Sequence, residues 1–291
     1  MPYSQRLPLT GVGTSQPTGH YYSPVCDPDE LAARREELWP AEPPECLGID
    51  FDDESHRQIL QQWFPRFIAD FDYPEHGNED HELNSYYTQN SQFSWLDART
   101  LFVMLRALRP KRVIEVGSGY SSLLMADVNQ RFLDGAVDIR CIEPYPRDFL
   151  KRGMAGISEV IVKRVQDVPL TEFAALAAND ILFIDSSHVA KTGSDVNYLF
   201  FEVLPRLQPG VIVHVHDIFL PAEYLESWAI DLNRSWNEQY LLRALLMHST
   251  AFKPMFGCSY AWLRHPDLVA AALALPGGAG FGGGSFWIRR L

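Results

Sequence analysis

The sequence predicts an α/β protein built on a doubly wound, mostly parallel sheet with helices on both faces, preceded by a helical and irregular N-terminal extension. Two observations carry that prediction. From residue 93 onward, short apolar runs alternate with helical segments of roughly 10–15 residues, the pattern of βαβ units and a parallel sheet. One of these runs, RVIEVGSGYSSLL at 112–124, passes straight from a strand through glycines into a helix start, which is the turn that nucleotide-binding sheets use. The chain has 291 residues, 46% of them apolar and 21% charged, an ordinary globular composition with enough length for a full α/β core.

The elements follow in order. Residues 1–92 read as an arm and helical extension, and 93–291 as the main domain. Within 1–53, rich in Pro, Tyr, Gly and acidic residues, a short helical stretch from Asp29 to Leu38 ends at Pro40. Tyr21, Tyr22, Trp39 and Phe51 argue that this arm packs on something, since disordered tails rarely carry aromatics. Residues 54–71 show helical spacing at Ile59, Trp63, Phe64 and Phe67, with a kink expected at Pro65. Residues 72–92 read as a loop in which Tyr86, Tyr87 and Asn90 either line an acceptor pocket or pack. Ser94-Trp95-Leu96-Asp97 resembles a capping box and opens a helix with apolar positions at Leu101, Met104, Leu105 and Leu108, ended by Arg109-Pro110.

Strands are expected at 112–116, 138–143, 158–165, 180–185 and 210–216, then a long helix over about 222–247, a strand near 256–263, a short helix at 266–275 and a final strand at 285–289. The glycine run at 277–284 reads as a flexible connection.

The net charge of −12 and the lack of long Lys/Arg clusters argue against nucleic acid as the main partner. Four cysteines (Cys26, Cys46, Cys141, Cys258) lie far apart without C-x-x-C spacing and read as reduced thiols of a cytoplasmic protein. The start of the chain lacks a signal-peptide pattern, and no apolar run of about 18 residues exists, so no membrane partner is expected.

The glycine turn itself discriminates between ligands. A dinucleotide fingerprint wants a third glycine, where this chain has Ser122, and a phosphate loop wants a lysine, which is missing. Glu115, two places before the first glycine, would repel a pyrophosphate and suits a cationic, amino-bearing ligand. S-adenosylmethionine (SAM) is such a ligand: Gly117, Ser118 and Gly119 would approach its methionine part, with Glu115 facing that end and Ser121 also among the expected cofactor-binding residues. Glu143, at the end of the next strand, can accept the ribose hydroxyls, and Asp167 can reach the adenine amino group.

These segments together, EVGSGYSS, CIEPYP and the run from FIDSSHVAKTG to VHVHDIFLP, resemble the class I SAM-dependent methyltransferases, more narrowly the methyltransferase-24 type related to catechol-type and macrolide-sugar O-methyltransferases. The resemblance covers about 93–291. It implies a Rossmann-like methyltransferase fold, a seven-stranded sheet whose last strand, GSFWIRR, runs antiparallel, with SAM across the ends of the first strands.

The second substrate belongs at the carboxyl ends of neighbouring strands, where Asp185-Ser186-Ser187-His188 and His214-Val215-His216-Asp217 converge. Asp185, His216 and Asp217 form a candidate site for Mg2+ or another divalent ion. The metal-dependent relatives place a base three residues after the first aspartate; here that position is His188, whose imidazole can deprotonate a hydroxyl. The chain departs from the catechol pattern in carrying His216-Asp217 for an acid–amide pair and His188 for a lysine. His214, deeper on the same face, is expected to be a core histidine, and the polar residues of Trp236-Asn237-Glu238-Gln239-Tyr240 either line the acceptor pocket or pack.

The expected activity is methyl transfer from SAM to a hydroxyl of a small molecule, with Asp185 and His188 as catalytic residues and Asp185 also touching the cofactor. A nicotinamide-dependent oxidoreductase and a non-catalytic binding scaffold are the competing readings. The aromatic arm suggests a homodimer.

Overall fold

The computed structural model describes residues 19–77, 85–273 and 282–291. The chain divides into two compact units: Met1–Pro43 with Glu223–Ser235, and Pro44–Ala222 with Trp236–Leu291.

In the first unit, the helix Pro28–Ala33 starts with proline at its first position and Asp27 as its cap, whose carboxylate accepts from Asp29 N. Trp39 Nε1 donates to the Tyr224 carbonyl at 2.7 Å, and Arg35 pairs with Glu226 at 2.8 Å. Trp39 is thus anchored within this unit, whereas Tyr21 and Tyr22 are 83% and 72% exposed, in ring contact with each other and with His20.

The second unit is organised by a seven-stranded sheet in the order β3-β2-β1-β4-β5-β7-β6. The strands are β1 (Arg112–Val116), β2 (Asp138–Ile142), β3 (Glu159–Ile161), β4 (Ile181–Ile184), β5 (Ile212–Val215), β6 (Phe252–Gly257) and β7 (Phe286–Arg290). β1 to β5 run parallel to one another, and β7 is antiparallel to both β5 and β6. Alternation along each buried strand sorts side chains to two faces. Val113, Ile139, Ile181 and Phe183 join one apolar core with the helices Trp95–Leu108 and Tyr120–Phe132, while Ile114, Ile142, Leu182 and Val213 join the other. Ile59, Leu60, Phe64, Tyr86 and Tyr87 belong to the first of these cores, so residues 44–77 and 85–92 are integral to the sheet's packing.

Several elements differ from their sequence-based expectation. No single helix spans 222–247; short helices Glu226–Ala229 and Glu238–Leu246 are separated by irregular chain, and Asn233 has φ +49, which interrupts helical winding. The strand expected at 256–263 ends at Gly257, and Cys258–Arg264 is helical. A continuous apolar run cannot distinguish the two by period. Pro254 lies within β6, where it is tolerated because β6 is an edge strand whose register shifts at that point. The strand expected over 158–165 shortens to β3.

The Pro65 kink takes the form of a π turn, Ile59–Trp63, closed by Phe64 N donating to the Ile59 carbonyl. Proline has no N–H and crowds the carbonyl four residues back, so the helix widens before it. Ser94 makes no side-chain cap; Asp97 instead accepts from Gly284 N at 3.0 Å and Ser285 N at 2.7 Å, tying the helix Trp95–Leu108 to the approach to β7. The glycine run expected as a connection at 277–284 lies outside the described residues up to Phe281. None of the four cysteines forms a disulfide among the described residues, and no helix among them is long and apolar enough to cross a membrane.

Candidate active site

The strand order reverses at β1, between β2 and β4, and the crevice outside the carboxyl ends at such a point is where open α/β sheets bind ligands. Here it is a cleft of about 140 Å³ lined by Gln92, Phe93, Gly117 to Ser121, Glu143 and Asp185. Gly117 has φ +82, and a Cβ on it would stand 1.7 Å from the Asp185 carbonyl oxygen, so only glycine lets the turn pass the end of β4. A larger cavity, about 530 Å³, lies elsewhere, between the segment Glu45–Asp53, Pro221, Tyr260 and Arg264, and contains none of the turn.

Glu143 stands at the rim of the turn, with its oxygens accepting from Ser118 N at 3.3 Å and Tyr145 N at 2.8 Å. Each oxygen keeps a lone pair for a ligand hydroxyl. Glu115 is placed differently from expectation. It is fully buried beneath the turn, accepting hydrogen bonds from Ser121 Oγ, Ser122 Oγ and Cys141 Sγ, and it does not line the cleft. Burial pushes its carboxyl up to about 7, against the pull of the two serines. Ser122, the missing third glycine, also accepts from Gly119 N at 3.0 Å, so Glu115 shapes the turn through its neighbours. Asp167 is not brought to this cleft; its carboxylate is exposed and paired with Arg164 at 2.9 Å.

Beside the cleft, the ends of β4 and β5 bring Asp185, His188, His216 and Asp217 together as the sequence predicts. His188 and Asp217 both occupy the left-handed region, with φ +60 and +58. Such strain costs roughly 1–3 kcal/mol per residue and persists where surrounding structure imposes it. His188 Nε2 lies 3.4 Å from Asp185 Oδ1 and 3.3 Å from Asp217 Oδ2, and its Nδ1 lies 3.0 Å from Glu238 Oε2. The His188 carbonyl accepts from Asn237 N and Glu238 N, and the ring lies 4.4 Å from Trp236. His216 Nδ1 is 3.5 Å from Asp185 Oδ1 and 3.5 Å from Asp217 Oδ1.

Burial disfavours the charged form of every group here, but the mutual attractions compete. For His188 burial is outweighed by the hydrogen bonds it donates to Asp185 and Glu238 and by the charge of Asp217, raising it to about 10. His216 likewise rises well above its usual value against burial, through Asp217 and Asp185. Asp185, despite burial, is held well below the carboxylate range by His216 and His188, whereas burial dominates for Asp217 and Glu238 and pushes both up.

The donor set fits a divalent cation. Ligand atoms of Asp185, His216 and Asp217 all lie within 4.8 Å of one another. His216 Nδ1 stands 3.5 Å from both carboxylates, beyond the 2.7–3.2 Å of an ordinary N–H···O bond.

His214 is the core histidine expected: its Nε2 pairs with Ser285 Oγ at 2.9 Å and its ring stacks on Phe183 at 3.7 Å. Tyr86, Tyr87 and Asn90 line neither of these two cavities. They are buried, with Tyr86 bonded to the Phe93 carbonyl, Tyr87 to Tyr120, and Asn90 to four backbone groups of its own loop. Two residues of the site were not assigned from sequence. Glu238 was visible only as one polar residue in an aromatic run, and Asp97 only as part of a helix start.

A nucleoside-type turn at the switch point of this sheet, with a carboxylate–imidazole cluster beside it, defines a Rossmann-like ligand-binding α/β protein. Comparison with known proteins narrows the class. Residues 114–218 match the methyltransferase domain family. A protein of Archaeoglobus fulgidus, itself uncharacterised, is 39% identical over 174 residues, 58% of this chain and 77% of that protein. Among solved structures, an S-adenosylhomocysteine-bound methyltransferase from Podospora anserina aligns over 96% of this chain and 100% of its own, with TM-score 0.42 and 16% identity. A methyltransferase from Geobacter sulfurreducens aligns over 90% and 98%, with TM-score 0.34 and 14% identity. Over residues 114–218 the chain carries a domain of the methyltransferase-24 type.

Proposed function

We propose that this protein transfers the methyl group of SAM to a hydroxyl oxygen of a small-molecule acceptor. The observation that carries the reading is the juxtaposition, at one end of the sheet, of the open Gly117–Gly119 turn with Glu143 on one side and the Asp185/His188/Asp217 cluster on the other.

When bound, SAM supplies an electrophilic methyl on a sulfonium, so the protein's part is positioning, desolvation and management of one proton. Glu143 accepts the ribose hydroxyls, and Asp185, lining the same cleft, offers a carboxylate between cofactor and acceptor. His188 receives the acceptor's proton at Nε2. Without a cation its carboxylate neighbours hold it protonated; a divalent ion on Asp185, His216 and Asp217 would oppose that charge and acidify a nearby hydroxyl.

The test is a transfer assay with methyl-labelled SAM against fractionated small-molecule extracts. The reading expects label in an acceptor at an alkali-stable ether, reduced at least 100-fold by Asp185→Ala and by His188→Gln. Label on a nitrogen or carbon of the product would overturn the hydroxyl assignment.

A further inference from the structure

We propose that Glu238 is a positioning residue for the transfer step: its carboxylate holds the His188 ring by Nδ1 and so turns Nε2 toward Asp185 and the cofactor cleft. The geometry of the pair stands by itself; its part in the reaction rests on the methyl-transfer reading above.

An ionised carboxylate can only accept, so the 3.0 Å contact between His188 Nδ1 and Glu238 Oε2 places a proton on Nδ1. The other nitrogen then lies 3.4 Å from Asp185 Oδ1 and 3.3 Å from Asp217 Oδ2. Asp185 lines the cleft, so Nε2 is turned to the side where methyl transfer requires the acceptor hydroxyl. As that oxygen takes the methyl, its proton passes to Nε2 and the electrons of the broken C–S bond stay on sulfur. A carboxylate behind the imidazole orients the ring and stabilises the imidazolium that forms.

The neighbours of Glu238 keep it in register with both strand-end loops. Glu238 opens the helix Glu238–Leu246. Asn237 N and Glu238 N donate to the His188 carbonyl at 3.1 and 3.2 Å, and Asn237 Oδ1 accepts from Ala190 N at 2.6 Å, fastening the loop after β4. Gln239 accepts from Phe219 N and donates to the Ala222 carbonyl at 3.0 Å, fastening the loop after β5. Three consecutive residues therefore fix where His188 stands, and the Trp236 ring 4.4 Å away covers it.

Packing alone does not account for a carboxylate at this place. Glu238 is fully buried and its Oε1 has no hydrogen-bond partner. A half-satisfied buried carboxylate lowers stability where a leucine of similar size would not, and such local conflicts gather at functional sites.

The experiment compares wild type, Glu238→Gln, Glu238→Leu, His188→Gln and the Glu238→Gln/His188→Gln double variant, using methyl-labelled SAM and an acceptor-bearing extract fraction. Glutamine keeps an acceptor for Nδ1–H but no charge, so kcat should fall about tenfold; leucine keeps neither, and kcat should fall about 100-fold, with the KM for SAM held within about twofold in both. Because Glu238 acts through His188, Glu238→Gln should lower transfer no further in the His188→Gln background. Proton magnetic resonance should show a far-downfield His188 Nδ1–H signal in wild type that shifts in Glu238→Gln and is absent from Glu238→Leu and His188→Gln. Multiplicative losses in the double variant, or S-adenosylhomocysteine binding and unfolding midpoint falling in step with kcat, would overturn the assignment, as would a wild type without the Nδ1–H signal. A wild type that shows the signal but transfers no label would instead defeat the methyl-transfer reading, and with it the part given to Glu238 in that reaction.

Discussion

Gly117 and Glu115 show how single residues set this site. Gly117→Ala would drive a methyl into the Asp185 carbonyl from a left-handed backbone, so the end of β4 must shift. The expected cost is about 3 kcal/mol or more in urea unfolding, with weaker S-adenosylhomocysteine binding; an unchanged unfolding midpoint would contradict the packing described.

Glu115 predicts a pH signature. Its folded pKa of about 7 lies above the ordinary carboxyl value of 4.5. Such a group contributes stability that is fully present below about 4.5 and is lost as pH rises through about 7. Relative to Glu115→Gln, wild type should therefore lose roughly 3 kcal/mol across that window, and parallel stability curves for the two proteins would refute it. The types of the site residues were legible in the sequence because strand ends and a glycine turn announce themselves. Their directions were not: Glu115 looked like a ligand contact and is a buried brace, since whether a strand-end carboxylate faces the crevice depends on the pleat and on Ser121, Ser122 and Cys141 closing over it.

Elements are joined by polar anchors with little sequence signature. His56, on the helix Asp53–Gln58, accepts from Gly257 N at the end of β6 at 2.9 Å while its Nδ1 meets the Asp52 carbonyl. Burial lowers its pKa to about 4. A histidine kept neutral in this way supports the fold fully above about 6.5 and loses that support as pH falls towards 4. His56→Leu should remove the acid sensitivity yet cost about 1–3 kcal/mol at pH 8 by leaving the Gly257 amide unpaired; an acid limb of undiminished slope would show that His56 does not cause it.

The five parallel strands were readable from their β-branched runs, whereas the helix–strand boundary at Gly257–Cys258 was not, because apolar residues continue across it without a change of period. The break in the supposed long helix at 230–237 was equally silent, lacking proline or glycine to mark it.

At the scale of the molecule, the sheet order β3-β2-β1-β4-β5-β7-β6 places the glycine turn and the Asp185/Asp217 pair at one end of the strands, and this was foreseeable from strand order alone. The involvement of residues 44–77 in the same cores was not, since a helix with a few aromatics does not declare its partner. The central claim concerns the ligand of that end: an S-adenosyl nucleoside held at the Gly117–Gly119 turn with Glu143. Calorimetric titration of the purified protein with S-adenosylhomocysteine and, separately, with NADH tests it most directly. The account predicts saturable one-site binding of S-adenosylhomocysteine, weakened at least tenfold by Glu143→Ala, and no binding of NADH; binding of NADH without S-adenosylhomocysteine would contradict it.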